Sequence, residues 1–288
     1  LVSTYMKLMP QSSFLDYFWS FRALLQGFYS VLLTDIPQAK LYHTCSTGYA
    51  GLLGARCHIE TGKPLVLTEH GIYTNERRVE LLTTDWLDNH AFTRNYTVNR
   101  SQLELHDLWI GIFSNYSRIC YEACSKIVTL YRGNQLAQMD DGADPEKMTI
   151  IPNGIEFERF SAIRRPKHEK PVIAFIGRVV PIKDVKTFIR ACSVLKGMLP
   201  EFYVYIMGPN DENPGYYEEC REMIEHLKLG DDIVFTGNIN ILDYLPRIDV
   251  IALTSISEAQ PLVILEAGAA GIPTVATRVG ACAEIIMG

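Results

Sequence analysis

The chain has 288 residues, enough for two domains of ordinary size, and its 48% hydrophobic and 21% charged residues exclude a disordered or fibrous protein. The formal net charge of -6, from 33 acidic against 27 basic residues, gives no general attraction for nucleic acid or anionic lipid, so a phosphate ligand would need a local site. Seven scattered cysteines, an odd number with no C-x-x-C pair, read as reduced thiols of a cytoplasmic protein rather than a zinc site or a disulfide framework.

No apolar run approaches the ~18 residues of a membrane span, and no signal peptide is visible. The chain opens at Leu1 and stops at Gly288 just after a helix-like segment, and both ends are expected to be cut. In chain order, Phe14 to Leu33 reads as a long helix, and Ala39 to His43, Pro64 to Thr68 and Ile127 to Leu130 read as strands. The segment 75–117, helix-rich and holding Trp86, Tyr96, Trp109 and Tyr116, reads as a helical insertion. A polar stretch at 164–170, with Pro166 among charges, reads as a linker between a first domain at 1–163 and a second at 171–288.

Beyond it the alternation is clear. Val172 to Ile176 has the short apolar run of a buried strand, and Asp184 to Leu199 has apolar residues at helical spacing, stopped by Pro200. Strands follow at Phe202 to Met207, Ile233 to Thr236, Asp249 to Thr254 and Thr274 to Ala276, with helices at Tyr216 to Leu227 and Pro261 to Ala270. Such alternation implies a parallel sheet, because each parallel pairing needs a crossover. The class is α/β, with two Rossmann-like doubly wound domains, both expected to be incomplete, facing across a cleft where ligands bind at the strand ends.

Candidate residues stand at those ends. Gly177, Arg178 and Lys183 occupy the turn from the second domain's first strand into its first helix, where an Arg fork, a Lys point charge and unpaired N–H groups suit a diphosphate. Glu258 and Glu266 flank an apolar stretch with seven residues between them. Pro261 suits a helix start, which puts Glu258 on the preceding loop and Glu266 among buried residues. A carboxylate buried there needs a partner, either a core Lys or Arg or the hydroxyls of a ribose.

These two acids, Gly177-Arg178 with Lys183, and Ile151-Pro152-Asn153-Gly154-Ile155 together resemble the family 4 retaining glycosyltransferases of GT-B fold, over nearly the whole chain. Within that family, Thr68-Glu69-His70-Gly71-Ile72-Tyr73, Ser46-Thr47-Gly48-Tyr49-Ala50-Gly51 and Ser255 to Pro261 are similar to the enzymes of Pel exopolysaccharide synthesis. The resemblance implies a UDP-sugar donor carrying a hexose or N-acetylhexosamine, and a growing polysaccharide acceptor. It also implies an inner-membrane synthesis and secretion complex as partner of a cytoplasmic, peripherally held enzyme, and no nucleic acid.

It further implies Arg178, Lys183 and Gly177 on the diphosphate, Glu266, Gly237 and Asn238 on the nucleoside, and Glu258 and His70 beside the reacting carbon. Gln260, Pro261, Leu262 and Asn153 would line the sugar subsite. No D-x-D pattern is present to hold a metal against a diphosphate, so no metal and no further cofactor are expected. Two other readings stand beside transfer: a UDP-sugar epimerase of similar fold, and a non-catalytic nucleotide-sugar-binding subunit of a secretion assembly.

Overall fold

A computed structural model describes residues 2–8, 13–82 and 105–287, which fall into two compact units, 1–151 and 152–288. Part of the expected helical insertion, 83–104 with Trp86 and Tyr96, lies outside the described residues.

The first unit opens with α1 (Val2–Leu8) and α2 (Phe14–Leu33) and then alternates: β1 (Tyr42–Thr44), α3 (Gly48–Thr61), β2 (Leu65–Glu69), α4 (Tyr73–Leu82), α5 (Leu105–Ala123), β3 (Lys126–Thr129), α6 (Arg132–Asp140) and β4 (Met148–Ile150). The four strands form one parallel sheet in chain order. One core joins Leu65, Leu67 and Ile127 of the sheet to Cys57 of α3 and Cys120 and Tyr121 of α5. A second joins Val31, Leu52, Trp109, Phe113 and Tyr116.

Helix α5 is thus a structural crossover of the sheet, not an insertion. It runs past Ser117 to Ala123, because its apolar face supplies one side of both cores. The glycines of α3 serve the same packing: a Cβ at Gly51 would meet the Cys120 sulfur at 2.8 Å and one at Gly54 would meet Leu65 at 2.8 Å.

The second unit holds α7 (Phe157–Ser161), β5 (Val172–Ile176), α8 (Val185–Lys196), β6 (Tyr203–Met207), α9 (Pro214–His226), β7 (Ile233–Gly237), β8 (Val250–Leu253), α10 (Leu262–Ala269), β9 (Thr274–Ala276) and α11 (Cys282–Met287). Its parallel sheet has the order β7-β6-β5-β8-β9, so the winding reverses between β5 and β8. Alternation along the strands divides the core. Phe175, Val204 and Ile206 meet α8 and α9 through Phe188, Ile189, Cys192, Cys220 and Ile224, while Ala174, Met207 and Ile251 meet Ala267, Ala270 and Ile272 on the other face.

The boundary between units falls at 151/152 and not at 164–170. Phe160 of α7 inserts into the second unit's core beside Ala174 and Ala267, so residues 152–163 travel with that unit. The polar stretch is a strap upon it: Arg165 donates to the carbonyls of Gly271 and Ile248 (2.5 and 3.0 Å), and the His168 ring meets the Pro246 carbonyl at 3.1 Å. Hydrogen-bond donors close together in sequence were spent on one domain rather than left to water.

Two glycines hold the strand-end loops of the second unit. Gly208 (φ 142°) lies against the Gly177 carbonyl, and Gly280 (φ 52°) lies against the carbonyls of Glu258 and Ala259; a Cβ at either position would collide with backbone. Gly208→Ala and Gly280→Ala should each lower stability by at least about 2 kcal/mol in urea unfolding. Gly111→Ala, in open space within α5, should raise it by about 0.5–1 kcal/mol. Equal, small effects at all three positions would contradict this packing.

Candidate functional site

Of the residues expected in the second unit, Gly177, Arg178 and Lys183 follow β5 and Glu258, Gln260, Pro261 and Leu262 follow β8, the two strands flanking the reversal, whereas Gly237 and Asn238 stand at the end of β7 and Glu266 within α10. After β5 the backbone turns sharply: Gly177 donates its N–H to the Met207 carbonyl (2.8 Å), Val179 donates to that of Pro209 (2.8 Å), and Pro181–Lys183 forms a 3-10 turn. Asp184 follows in the left-handed region (φ 47°), which an Asp tolerates, and its carboxylate caps α8 by accepting the Thr187 N–H at 3.2 Å. The same end of α8 receives the Tyr216 hydroxyl, 3.4 Å from the Lys186 nitrogen. The first-helix N–H groups expected to meet a diphosphate are therefore already engaged.

The open helix end is that of α10. Pro261 is its N-cap, one residue before the first helical position, and provides no side-chain cap; the N–H groups of Leu262 and Val263 have no acceptor among the described residues. Leu262 is exposed, and what it offers to a ligand is this backbone donor.

Lys183 and Glu258 form a direct ion pair, with side chains 19% and 10% exposed. Glu258 Oε1 accepts from Lys183 Nζ and from Ser255 Oγ (2.6 Å), while Oε2 has no partner among the described residues. The loop that carries this acid is sewn to its neighbours. Ile256 donates its N–H to the Ile182 carbonyl (2.9 Å), the Thr254 hydroxyl donates to the Asp184 carbonyl (2.9 Å), and the Thr277 hydroxyl donates to that of Ser255 (2.6 Å). Asn153 joins the same loop, its N–H donating to Gln260 Oε1 at 2.6 Å and its amide to the Gln260 carbonyl at 3.4 Å.

Arg178 stands apart from Lys183. Its Nη1 meets both oxygens of Glu212 at 2.6 and 2.8 Å in an ion pair with each side chain about half exposed, leaving Nε and Nη2 unengaged among the described residues. Glu266, in the second turn of α10, is half-buried rather than embedded, and its carboxylate makes no hydrogen bond or ion pair among the described residues. Burial raises its carboxyl above the ordinary range, and Arg159 of α7 opposes that shift. Gly237 (φ 67°) ends β7 with its carbonyl accepting the Gly208 N–H at 3.0 Å, and Asn238 is exposed beyond it.

His70, in the first unit, is exposed just past β2, with its carbonyl held by the Asn134 amide at 2.6 Å. Its neighbour Glu69 was not singled out by sequence reasoning, yet it is 1% exposed and accepts from Thr47, the Tyr73 N–H, Tyr121 and Gln138. The signal was present: period-two alternation places Glu69 on the buried side of β2 with Leu65 and Leu67. The pairing of Glu212 with Arg178 joins positions 34 apart that no spacing rule connects.

Removing one partner of the Lys183–Glu258 pair leaves a mostly buried charge, so Lys183→Met should cost about 3–5 kcal/mol in urea unfolding. Lys183→Met with Glu258→Gln should recover most of that loss, and strict additivity would contradict the coupling. Glu69 supplies a second check. Desolvation raises its carboxyl above the ordinary range, against the donors Gln138, Tyr121 and the Tyr73 N–H. The folded state therefore holds the proton more tightly than the unfolded state. The associated stability is complete below the unfolded value of about 4.3 and is lost as pH rises through the higher folded value. Glu69→Gln cannot ionise, so wild-type stability should fall relative to this variant from pH 4 upward, and parallel pH curves would contradict the assignment.

Comparison with known proteins gives this geometry a family. Residues 1–146 match the family model described as Domain of unknown function (DUF3492), and residues 156–287 match that described as Glycosyl transferases group 1. A D-inositol 3-phosphate glycosyltransferase of Kribbella flavida is 30% identical over 175 residues, 55% of this chain and 39% of the relative. One from Corynebacterium glutamicum is 29% identical over 58% of this chain and 45% of the relative. The chain thus spans less than half the length of these curated relatives.

Among solved structures, Anabaena HepE in complex with UDP superposes with a TM-score of 0.65 at 19% identity, covering 85% of this chain and 62% of that one. A glycosyltransferase from Rickettsia africae gives 0.63 at 20% identity, covering 95% and 65%. At these identities the likeness concerns the fold, which is GT-B. The chain belongs to the DUF3492 family, and its second half is a glycosyl transferases group 1 domain.

Proposed function

We propose that this chain is part of a retaining glycosyltransferase that moves a hexose or N-acetylhexosamine from a UDP-sugar to a growing exopolysaccharide, as PelF does. The observation that carries the proposal is the meeting, at one topological switch point, of the Lys183–Glu258 ion pair, whose carboxylate keeps one oxygen without a partner among the described residues, with the uncapped N-terminus of α10, while Arg178 stands on the same exit loop of β5 as Lys183. Support comes from HepE, a structural neighbour solved with UDP and with UDP-glucose.

Breaking the glycosyl–phosphate bond leaves negative charge on the departing diphosphate and an oxocarbenium-like sugar carbon. Arg178 presents Nε and Nη2, Lys183 has two further N–H donors beyond the one on Glu258, and α10 offers the N–H groups of Leu262 and Val263. These fixed donors stabilise the leaving oxygens as charge develops, which is the role a metal takes in other transferases. Glu258 Oε2 accepts a hydroxyl of the transferred sugar, and the ion pair with Lys183 keeps sugar and phosphate at a fixed separation. Glu266 accepts from the ribose hydroxyls, and the strand-end backbone at Gly237 and Asn238 meets the base. Asn153 and Gln260 brace the loop through Pro261 around the sugar.

In this reading a donor phosphate oxygen takes the acceptor proton on the same face, and Glu258 and His70 orient the reacting groups. Arg178 reaches the diphosphate in ground and transition states alike, whereas Glu258 acts chiefly as the sugar flattens. Arg178→Ala should therefore weaken UDP binding by ~10-fold or more in calorimetry and lower kcat as well. Glu258→Ala should lower kcat by ~100-fold, a much larger factor than its effect on UDP affinity. Small, equal effects from both substitutions would refute the assignment, and release of a free or epimerised sugar with no lengthened glycan would refute transfer.

A further inference from the structure

The carboxyl of Glu69 takes no part in the chemistry above, yet it has the most elaborate hydrogen bonding of any acid among the described residues. Oε1 accepts from the Thr47 hydroxyl (3.4 Å) and the Tyr73 N–H (3.2 Å), and Oε2 accepts from the Tyr121 hydroxyl (2.8 Å) and the Gln138 amide (2.8 Å). These donors come from the N-cap of α3, the first residue of α4, the last turn of α5 and the last turn of α6. A further layer follows, in which Ser117 donates to the Thr47 hydroxyl at 2.7 Å. No Lys or Arg among the described residues pairs with the carboxyl, so dipoles alone hold it.

Leu65 and Leu67 fill the preceding positions on the same face of β2, and a third apolar residue would avoid the cost of desolvating a carboxyl. What the carboxyl gains is geometric. Its bond to the Tyr73 N–H fixes the start of α4, while Asn134, 3% exposed, fixes the His70 carbonyl from α6. Between the clamped His70 carbonyl and the clamped Tyr73 N–H lie only Gly71 and Ile72. A Cβ at Gly71 would meet only the end of the Glu76 side chain, which would have to move aside. The His70 ring is the exposed group on a loop whose backbone is fastened at both ends.

We infer that Glu69 is a positioning residue of the transferase: its buried carboxyl, with Asn134, fixes the strand-end loop so that the His70 ring is presented in one place. The inference rests on His70 acting in the transfer. Glu69→Gln is the conservative replacement, since Gln138 Oε1 is buried without a partner and can accept from the new amide after turning over. Glu69→Leu keeps the volume and removes every acceptor.

The experiment measures kcat, donor KM and UDP affinity in the full-length enzyme for Glu69→Leu, Glu69→Gln, Asn134→Ala, His70→Ala and the doubles with His70→Ala, with thermal unfolding to count folded enzyme. Expected are a ~10-fold or larger loss of kcat per folded enzyme in Glu69→Leu and in Asn134→Ala, unchanged UDP affinity, near-wild-type turnover in Glu69→Gln, and no further loss in the His70→Ala background. Wild-type kcat in folded Glu69→Leu, or losses that multiply with that of His70→Ala, would overturn the inference. Should Glu69→Leu not fold, Asn134→Ala decides by the same criterion. Unchanged turnover in His70→Ala itself would remove the role of His70 and the inference with it, while leaving the donor site to be judged by Arg178 and Glu258.

Discussion

The ion pair between Lys183 and Glu258 spans the place where strand order reverses, and the arrangement of the second unit's site depends on it. Parallel strands wound outward from β5 and β8 leave their exit loops side by side. Each loop brings a charge that could not be buried alone. The backbone bonds from Ile256 to Ile182 and from the Thr254 hydroxyl to Asp184 hold the loops at the distance at which the charges meet. Gly280 lets the chain after β9 press against the same loop, and Asn153 braces it through Gln260. Main-chain bonds as well as the ion pair thus hold these loops, the preorganisation that the proposed stabilisation of a leaving group requires.

The two units solve the same problem with different materials. In the second, charges meet at the sheet edge and remain partly open to solvent, as the half-exposed pair of Arg178 and Glu212 shows. In the first, an uncompensated carboxyl is buried and satisfied by neutral donors, leaving an exposed imidazole above it. The former suits binding a dianion that must enter and leave; the latter suits holding an exposed side chain in place.

Much of this was legible in the sequence. Apolar runs of five residues bounded by glycine, such as Val172 to Ile176, marked strands because both sheet faces are covered, and helical spacing marked α8 and α9. The candidate residues from Gly177 to Lys183 and from Glu258 to Leu262 come together because they follow adjacent strands. The domain boundary was not legible: a charged stretch with a proline has the composition of a linker, and only the insertion of Phe160 and the carbonyls beneath Arg165 show where the chain belongs. The capping of α8 by Asp184 and Tyr216 was hidden for a related reason, since the Tyr216 hydroxyl lies 30 residues away in sequence. Strand β4 escaped notice because Met148–Ile150 is too short to show a period. Among the described residues no helix is long and apolar enough to cross a membrane, in line with the sequence reading.

A crystal structure of the full-length protein with UDP tests the donor site most directly. The expected result places the diphosphate against Arg178, Lys183 and the N–H groups of Leu262 and Val263, with the ribose hydroxyls on Glu266. A diphosphate bound elsewhere, with Arg178 still closed on Glu212 and no ligand at the ends of β5 and β8, would contradict it.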